Sequence, residues 1–513
     1  MEQNAAKKRR RKRIAALVLL LCANALFAFT LWLLSRYDQI SLDQIFYQLK
    51  TPAKGTSSSL LLSTTLLVSG ITLGLTALDA LLYAILSGAL AGRLERFRRY
   101  RAYRASRICR FFYRRLLPLS LAVLLFSTSF FTLRLGALQY FYDFSTKSDF
   151  FEEHYTDPRQ VALTFPERKR NLIYIFLESM ENTFSDPTAG GKVTADFIPE
   201  LTALREEGVS FSHTADKGGF YPFDGATWTA AAMVAQTAGV PIKITPATEE
   251  YGKEGAYMSG LTSLGDLLAD AGYAQTLLLG SNASFAARDS YFNTHGDYRI
   301  VDFLSLKEEG RLPADYEEWW GYEDEKLFTF AKEEILRLAA GDAPFNFTML
   351  TADTHFPDGY LCSLCKEEHD EQYANVLSCS SRQIASFITW LKAQPFYEDT
   401  AVVLVGDHLT MDPEFLSDIE EDYVRTSYNC FLNASPTPAK EKHREFSPFD
   451  LFPTTLAAMG VSIEGERLGL GTNLFSTEQT LTERYGYEAL CEELSRRSVF
   501  YESTFFLSED EEY

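Results

Sequence analysis

The chain has 513 residues, enough for one large domain and additional material. Its formal net charge is −20, yet residues 1–115 carry 20 Lys/Arg against 5 Asp/Glu, a surplus of +15 that leaves −35 for the remainder. The basic residues flank hydrophobic runs, which is a membrane pattern and argues against nucleic-acid binding.

Lys7–Arg13 is an unbroken basic run. Ile14–Leu34 follows it without a charge, at about the 20 residues a spanning helix needs. That apolar core is longer than the usual core of a signal peptide, and no small-residue cleavage site follows it, so it is expected to be an anchor. Leu60–Leu90 is a second apolar stretch with one charge, Asp79. It is either one tilted span or two short ones. Asp79 is a candidate intramembrane functional residue, with a helix-end position as the simpler alternative. Arg93–Arg115 is dense in Arg with interleaved Tyr and Phe, and Leu116–Leu135 is the last apolar run. Basic segments stay in the cytoplasm. Keeping both Lys7–Arg13 and Arg93–Arg115 inside requires three spans and places residues after about 140 outside. The Arg-rich loop then faces anionic lipid headgroups.

Strand-like runs recur after the anchor at Leu172–Leu177, Gln275–Leu279, Phe345–Leu350 and Val402–Val405. Helix-like segments lie between them at Phe197–Glu207, Leu261–Ala271, Glu325–Ala340 and Ser380–Gln394. The alternation predicts an α/β domain with a mostly parallel central sheet covered on both faces. The expected organisation is an α-helical transmembrane anchor over 1–140, a linker over 141–165, the α/β domain over 166–480, and a C-terminal extension over 481–513 that ends in an acidic tail.

Two strand ends carry acids. Ala401–Met411 runs from apolar residues into Gly406, Asp407 and His408, and Asn171–Ser179 ends at Glu178. Open α/β sheets bind ligands at the carboxyl ends of their strands. A carboxylate beside an imidazole suits a divalent metal. Asp407 alone reads more simply as a helix cap, but two acids on one sheet rim favour the metal. Between these strands lies Gly225–Pro241, small residues and Thr followed by a helical run. A Thr at a helix start is either a cap or a nucleophile beside N–H groups that donate to phosphate. A Thr hydroxyl needs activation by a metal to attack at neutral pH. Thr227 and Thr229 both stand there.

These motifs, in this order, resemble the sulfatase branch of the alkaline phosphatase superfamily. More closely, the chain resembles membrane-bound phosphoglycerol transferases, a group that includes the lipoteichoic acid synthases. The likeness covers about residues 165–475. It rests on Trp228-Thr-x-x-x-Met-Val-Ala-Gln, Thr351-Ala-Asp-Thr-His-Phe-Pro-Asp-Gly359, Ser378-Cys-Ser with Cys365 upstream, Asp407-His-Leu-x-Met411 and Phe449-Asp-Leu-Phe-Pro-Thr454. The resemblance implies a sulfatase-like fold outside the cell membrane. It implies Glu178, Thr229, Asp407 and His408 as metal ligands, with Thr229 also the nucleophile, favoured over Thr227 by its spacing to Gly239. It implies that Arg288 and His355 contact the substrate; Ala286 stands where the family has an aromatic residue. The metal is expected to be Mn2+, with Zn2+ or Mg2+ as alternatives. Phosphatidylglycerol is the implied donor, and an envelope glycan or a teichoic-acid-type polyglycerolphosphate is the implied acceptor. No Cys occurs in Gly225–Pro241, which argues against a formylglycine-type sulfatase. A phosphoethanolamine transferase or a hydrolase on the same fold is the rival enzyme, and an inactive envelope sensor or scaffold the rival from another class.

The cysteines that fall outside the membrane are Cys362, Cys365, Cys379, Cys430 and Cys491. Cys362-x-x-Cys365 has no second Cys-x-x-Cys, so structural zinc is weakly supported. An extracytoplasmic disulfide is expected instead, with Cys365–Cys379 the preferred pair.

Overall fold

The computed structural model describes residues 2–38, 40–52, 58–86, 111, 115–193, 195–244, 251–252, 256–316, 318–420 and 422–506. The Arg-rich loop lies outside these residues apart from Phe111 and Arg115, as does the acidic end Glu509–Tyr513. The chain divides into two compact units. One holds residues 1–42 and 56–141; the other holds residues 43–55 and 142–513.

The first unit is helical. Its long helices are α1 (Glu2–Arg36), α3 (Ser58–Leu86) and α4 (Leu116–Arg134), and α1 packs against both of the others. Each is long and apolar enough to cross a membrane. The second apolar stretch forms one continuous helix over its described residues, not two short ones. Asp79 accepts a hydrogen bond from Asn24 Nδ2 at 2.9 Å, and the same amide donates to Thr76 Oγ1 at 3.1 Å. This amide clasp ties α1 to α3.

The second unit is built on a six-stranded sheet. Its strands are β1 (Asn171–Leu177), β2 (Ala274–Leu279), β3 (Arg299–Val301), β4 (Phe345–Leu350), β5 (Thr400–Gly406) and β6 (Asn429–Leu432). They lie in the order β3-β2-β4-β1-β5-β6, parallel except for β6. β1 is buried on both faces, which explains its unbroken apolar run. Ile173, Ile175 and Leu177 join a core with Leu327, Ala331 and Ile335 of α7 (Asp324–Ala339) and Leu377, Ile384 and Phe387 of α8 (Gln372–Lys392). Tyr174 faces the other way and reaches α5 (Thr229–Ala238). α8 starts eight residues before its predicted start, because Tyr373–Cys379 are all buried and tertiary packing, not local propensity, sets that end.

This unit also takes in a segment from far upstream. α2 (Leu42–Lys50) lies between the first two apolar helices in sequence, yet residues 43–55 belong to the second unit. Tyr47 is fully buried there. Its hydroxyl donates to Ala286 O at 2.7 Å and meets Tyr257 Oη at 2.9 Å, and its ring lies 5.6 Å from Trp228 and 5.8 Å from Tyr251. Truncating a buried aromatic of this kind costs about 3–5 kcal/mol. Tyr47→Ala should therefore lower the thermal midpoint of the full chain sharply. Tyr47→Phe keeps the ring and should lose only the hydroxyl contacts, about 1–2 kcal/mol. Equal midpoints for Tyr47→Ala and the parent chain would show that α2 is not part of this core.

Candidate active site

Register brings the two acids together. Leu177 of β1 pairs with Gly406 of β5, so Glu178 and Asp407 leave adjacent strands at the same level. Gly406 is required by close approach: a Cβ there would sit 1.9 Å from Met180 O. Ser179 takes a left-handed backbone (φ 54°), a conformation that costs a non-glycine residue and recurs at functional sites. In that conformation its N–H donates to Asp407 Oδ1 at 2.8 Å and its hydroxyl to Glu178 Oε1 at 2.8 Å.

His408 follows Asp407. Its Nδ1 donates to Leu409 O at 2.7 Å, which fixes the tautomer and turns the Nε2 lone pair inward. Nε2 lies 3.4 Å from Asp407 Oδ2 and 3.7 Å from Glu178 Oε1. Thr229 is the first residue of α5, and Trp228, not Thr227, holds the cap position. Thr229 Oγ1 lies 3.3 Å from Glu178 Oε2 and 3.4 Å from His408 Nε2. Gln236, two turns along α5, locks this arrangement by donating to Gly406 O and Asp407 O, both at 3.1 Å, while accepting from Tyr174. Gly239 (φ 69°) then closes α5 in the left-handed geometry that favours glycine at a helix end.

The donors of Glu178, Asp407 and His408 all lie within 4.8 Å of one another and are buried. Asp407 Oδ2 is buried without a hydrogen-bond partner among the described residues, a costly state for a carboxylate oxygen. Burial and the neighbouring Glu178 push Asp407 up to about 7. Burial also works against the Glu178 charge, but His355, His408 and the Ser179 hydroxyl together hold it below the usual carboxylate range. His408 is raised despite its burial, because both carboxylates favour its cation. Two carboxylates, one imidazole and one hydroxyl thus converge with one oxygen left unpaired, and these residues fit a divalent cation.

The other expected residues sit around this cluster. Arg288 begins α6 (Arg288–Thr294), and the preceding Ala286 and Ala287 are both left-handed. Its guanidinium is buried and donates to Phe285 O, Asn282 O and Ser281 Oγ. Burial lowers it to about 10, and Glu178 is the first charge opposing that shift. His355 lies in the loop after β4. Its Nδ1 donates to Phe356 O at 2.7 Å, and its ring lies 5.0 Å from Trp320 and 6.1 Å from Trp319. Thr354, beside it, donates to Glu178 O at 2.6 Å, which ties the His355 loop to β1.

Several residues of the site carry no sequence signal of their own. Trp319 and Trp320 are two of the chain's five tryptophans, and Trp320 Nε1 is a buried donor without a partner among the described residues. Their adjacency was the one available clue. Glu181 is a buried acid held by two bonds from Arg425, and it accepts from Thr410 N just beyond His408. Its role is invisible without the fold.

The expected Cys365–Cys379 disulfide is not formed in this structure. All described cysteines are free thiols, and Cys362 Sγ stands 3.7 Å from the sulfurs of both Cys365 and Cys379.

The sulfatase family model matches residues 170–461, more than half of the chain. Phosphoglycerol transferase I of Escherichia coli O6:K15:H31 is 32% identical over 268 residues, which cover 51% of this chain and 33% of that protein. The chain thus spans about a third of the length of the curated relatives it matches. Among solved structures, the phosphoethanolamine transferase EptA of Neisseria meningitidis aligns with a TM-score of 0.49 at 15% identity, covering 88% of this chain and 84% of its own. The lipoteichoic acid synthase LtaP of Listeria monocytogenes aligns with a TM-score of 0.47 at 18% identity, covering 62% and 79%. With the motifs in order, the acids on adjacent strand ends and the family model spanning the sheet, the chain belongs to the sulfatase family.

Proposed function

We propose that this protein transfers phosphoglycerol from phosphatidylglycerol to an envelope glycan or polyglycerolphosphate acceptor, through a covalent intermediate on Thr229. The observation that carries this reading is the Thr229 hydroxyl, set at a helix N-terminus against Glu178 and His408. The likeness to phosphoglycerol transferase I supports phosphoglycerol as the group transferred.

Glu178, Asp407, His408 and Thr229 would hold the cation, with Mn2+ the first candidate and Zn2+ or Mg2+ the alternatives. When bound, it supplies Lewis-acid polarisation of a phosphoryl oxygen and lowers the cost of ionising a hydroxyl. The residues of the chain do the rest. Backbone N–H groups at the start of α5 donate to the phosphate oxygens. Arg288 and His355 contact the phosphoglycerol group, and the Arg288 charge offsets the negative charge on its oxygens. Thr229 Oγ forms a bond to phosphorus as the bond to the diacylglycerol oxygen breaks, and the hydroxyl proton ends on diacylglycerol. The acceptor hydroxyl then attacks phosphorus, Thr229 leaves, and the acceptor's proton returns to Thr229.

Mass spectrometry of the full chain in detergent with phosphatidylglycerol tests this. A phosphoglycerol adduct on Thr229 is expected. A phosphoethanolamine adduct formed only with phosphatidylethanolamine would reassign the donor, and transfer with no trapped adduct would remove the covalent step.

The same reading places the second unit outside the membrane. The basic runs favour that orientation. The inclusion of residues 43–55 in the second unit supports it, since two apolar helices separate them from residue 142 and restore the same side. A reporter fused after Lys147 should be active only as an extracytoplasmic enzyme, and one fused within residues 93–110 only as a cytoplasmic one. The reverse pattern would deny the site its lipid donor.

A further inference from the structure

We propose that Cys362, Cys365 and Cys379 form a second metal site, a three-thiolate centre for a zinc-type ion, separate from the cluster around Thr229. Cys362 and Cys365 lie in the loop that runs from β4 to α8, and Cys379 is on α8. Their sulfurs all lie within 4.8 Å of one another. Cys362 Sγ is 3.7 Å from both partners. A disulfide needs its sulfurs about 2.05 Å apart. Thiolates bound tetrahedrally at about 2.3 Å from one zinc stand about 3.8 Å apart. The observed spacing therefore matches shared coordination and not a bond.

The surroundings match as well. Cys365 N donates to Cys362 O at 3.1 Å, the tight turn that aims both sulfurs of a Cys-x-x-Cys at one point. Gln383, one turn beyond Cys379, turns its Nε2 to Cys379 Sγ at 3.5 Å and to Cys362 Sγ at 3.6 Å. Donors of this kind orient and stabilise metal-bound thiolates. Arg382 lies beside it, ion-paired through Nη1 with Glu368 at 2.5 Å, while its Nη2 is buried without a hydrogen-bond partner among the described residues and stays available to a centre that would carry −1 with three thiolates and Zn2+. Cys379, Gln383, Arg382, Leu364 and Glu325 line a cavity of about 320 Å³ that gives water room to fill the fourth position. The centre would staple the loop that carries His355 onto α8 and protect three thiols from oxidation.

The test uses the full chain in detergent, loaded with Zn2+ or Co2+ alone. Wild type should bind one more equivalent of zinc than Cys362→Ser/Cys379→Ser. The cobalt form should show a thiolate-to-metal charge-transfer band that persists in Asp407→Asn and disappears in Cys365→Ser. Cys365 is only half-buried, so this variant removes a ligand without opening the core. Thiol labelling should be slow with zinc and rise to three reactive cysteines in this cluster on chelation. Equal zinc content in wild type and the cysteine variants would overturn the site. So would a chain two hydrogens lighter than its thiol form that labels at one of the three cysteines only, since that is a disulfide with a bystander. Neither result depends on phosphoglycerol transfer.

Discussion

Thr229→Ala should abolish both transfer and adduct formation while leaving lipid binding largely intact. The Thr229 hydroxyl is the proposed nucleophile, and Glu178 and His408 are already within 3.4 Å of it. Loss of a nucleophile that acts with its partners as a unit has cost roughly a millionfold in a well-studied hydrolase, so the residual rate should fall to background. Lipid affinity should survive because Arg288 and the start of α5 remain. Thr227→Ala is the control. Thr227 is two residues earlier and is not the cap of α5, so its replacement should change stability by no more than about 0.5 kcal/mol. Transfer assays on both variants decide the register. A dead Thr227→Ala with an active Thr229→Ala would move the nucleophile, and full activity in both would end the covalent mechanism.

Asp407→Asn should show the largest effect on metal content, and it should shift the unfolding temperature in opposite directions with and without the ion. Asp407 Oδ1 accepts from the backbone N–H groups of Ser179 and His408, both at 2.8 Å, and an amide oxygen can keep both bonds. The other oxygen is the unpaired one, and in the variant it becomes an NH2 that cannot bind a cation. Metal content and transfer should both collapse. The metal-free protein behaves differently. Two buried carboxylates side by side repel, and removing one charge relieves Glu178. Without metal at pH 8, Asp407→Asn should therefore unfold at a higher temperature than the parent chain. With metal the order should reverse, since only the parent gains binding energy. A variant that keeps its metal and turns over would return Asp407 to the simple role of a turn cap.

Both experiments address residues that the sequence could rank but not place. The apolar runs of β1, β4 and β5 were legible because a strand buried on both faces has no polar alternation to confuse it. β6 and β3 were not, since three or four residues at a sheet edge leave too little periodicity. Glu178, Asp407 and His408 were legible as acids and imidazole at strand ends, but their meeting depends on the pairing of Leu177 with Gly406, which no local pattern encodes. Gln236 could be quoted as part of a motif, yet its task of tying α5 to the end of β5 needed coordinates. The cysteines show the limit most clearly. Compartment and the lack of a second Cys-x-x-Cys suggested one pair, and only the fold shows Cys362 standing 3.7 Å from both of the others.

The burial of Tyr47 among Trp228, Tyr257 and Ala286 also has a bearing on biosynthesis. A ribosome adding 5–20 residues per second releases Tyr47 roughly ten to fifty seconds before the partners that will cover it. During that interval the segment waits exposed, and the later domain cannot close its interior until it captures it. Two apolar helices separate the segment from that domain. If only one of them crossed the bilayer, the segment and its partners would be stranded on opposite faces, and the domain would be left with an open core. Where both helices cross, completion of the fold would depend on the number of crossings, and a chain with the wrong number would keep that unfinished surface exposed.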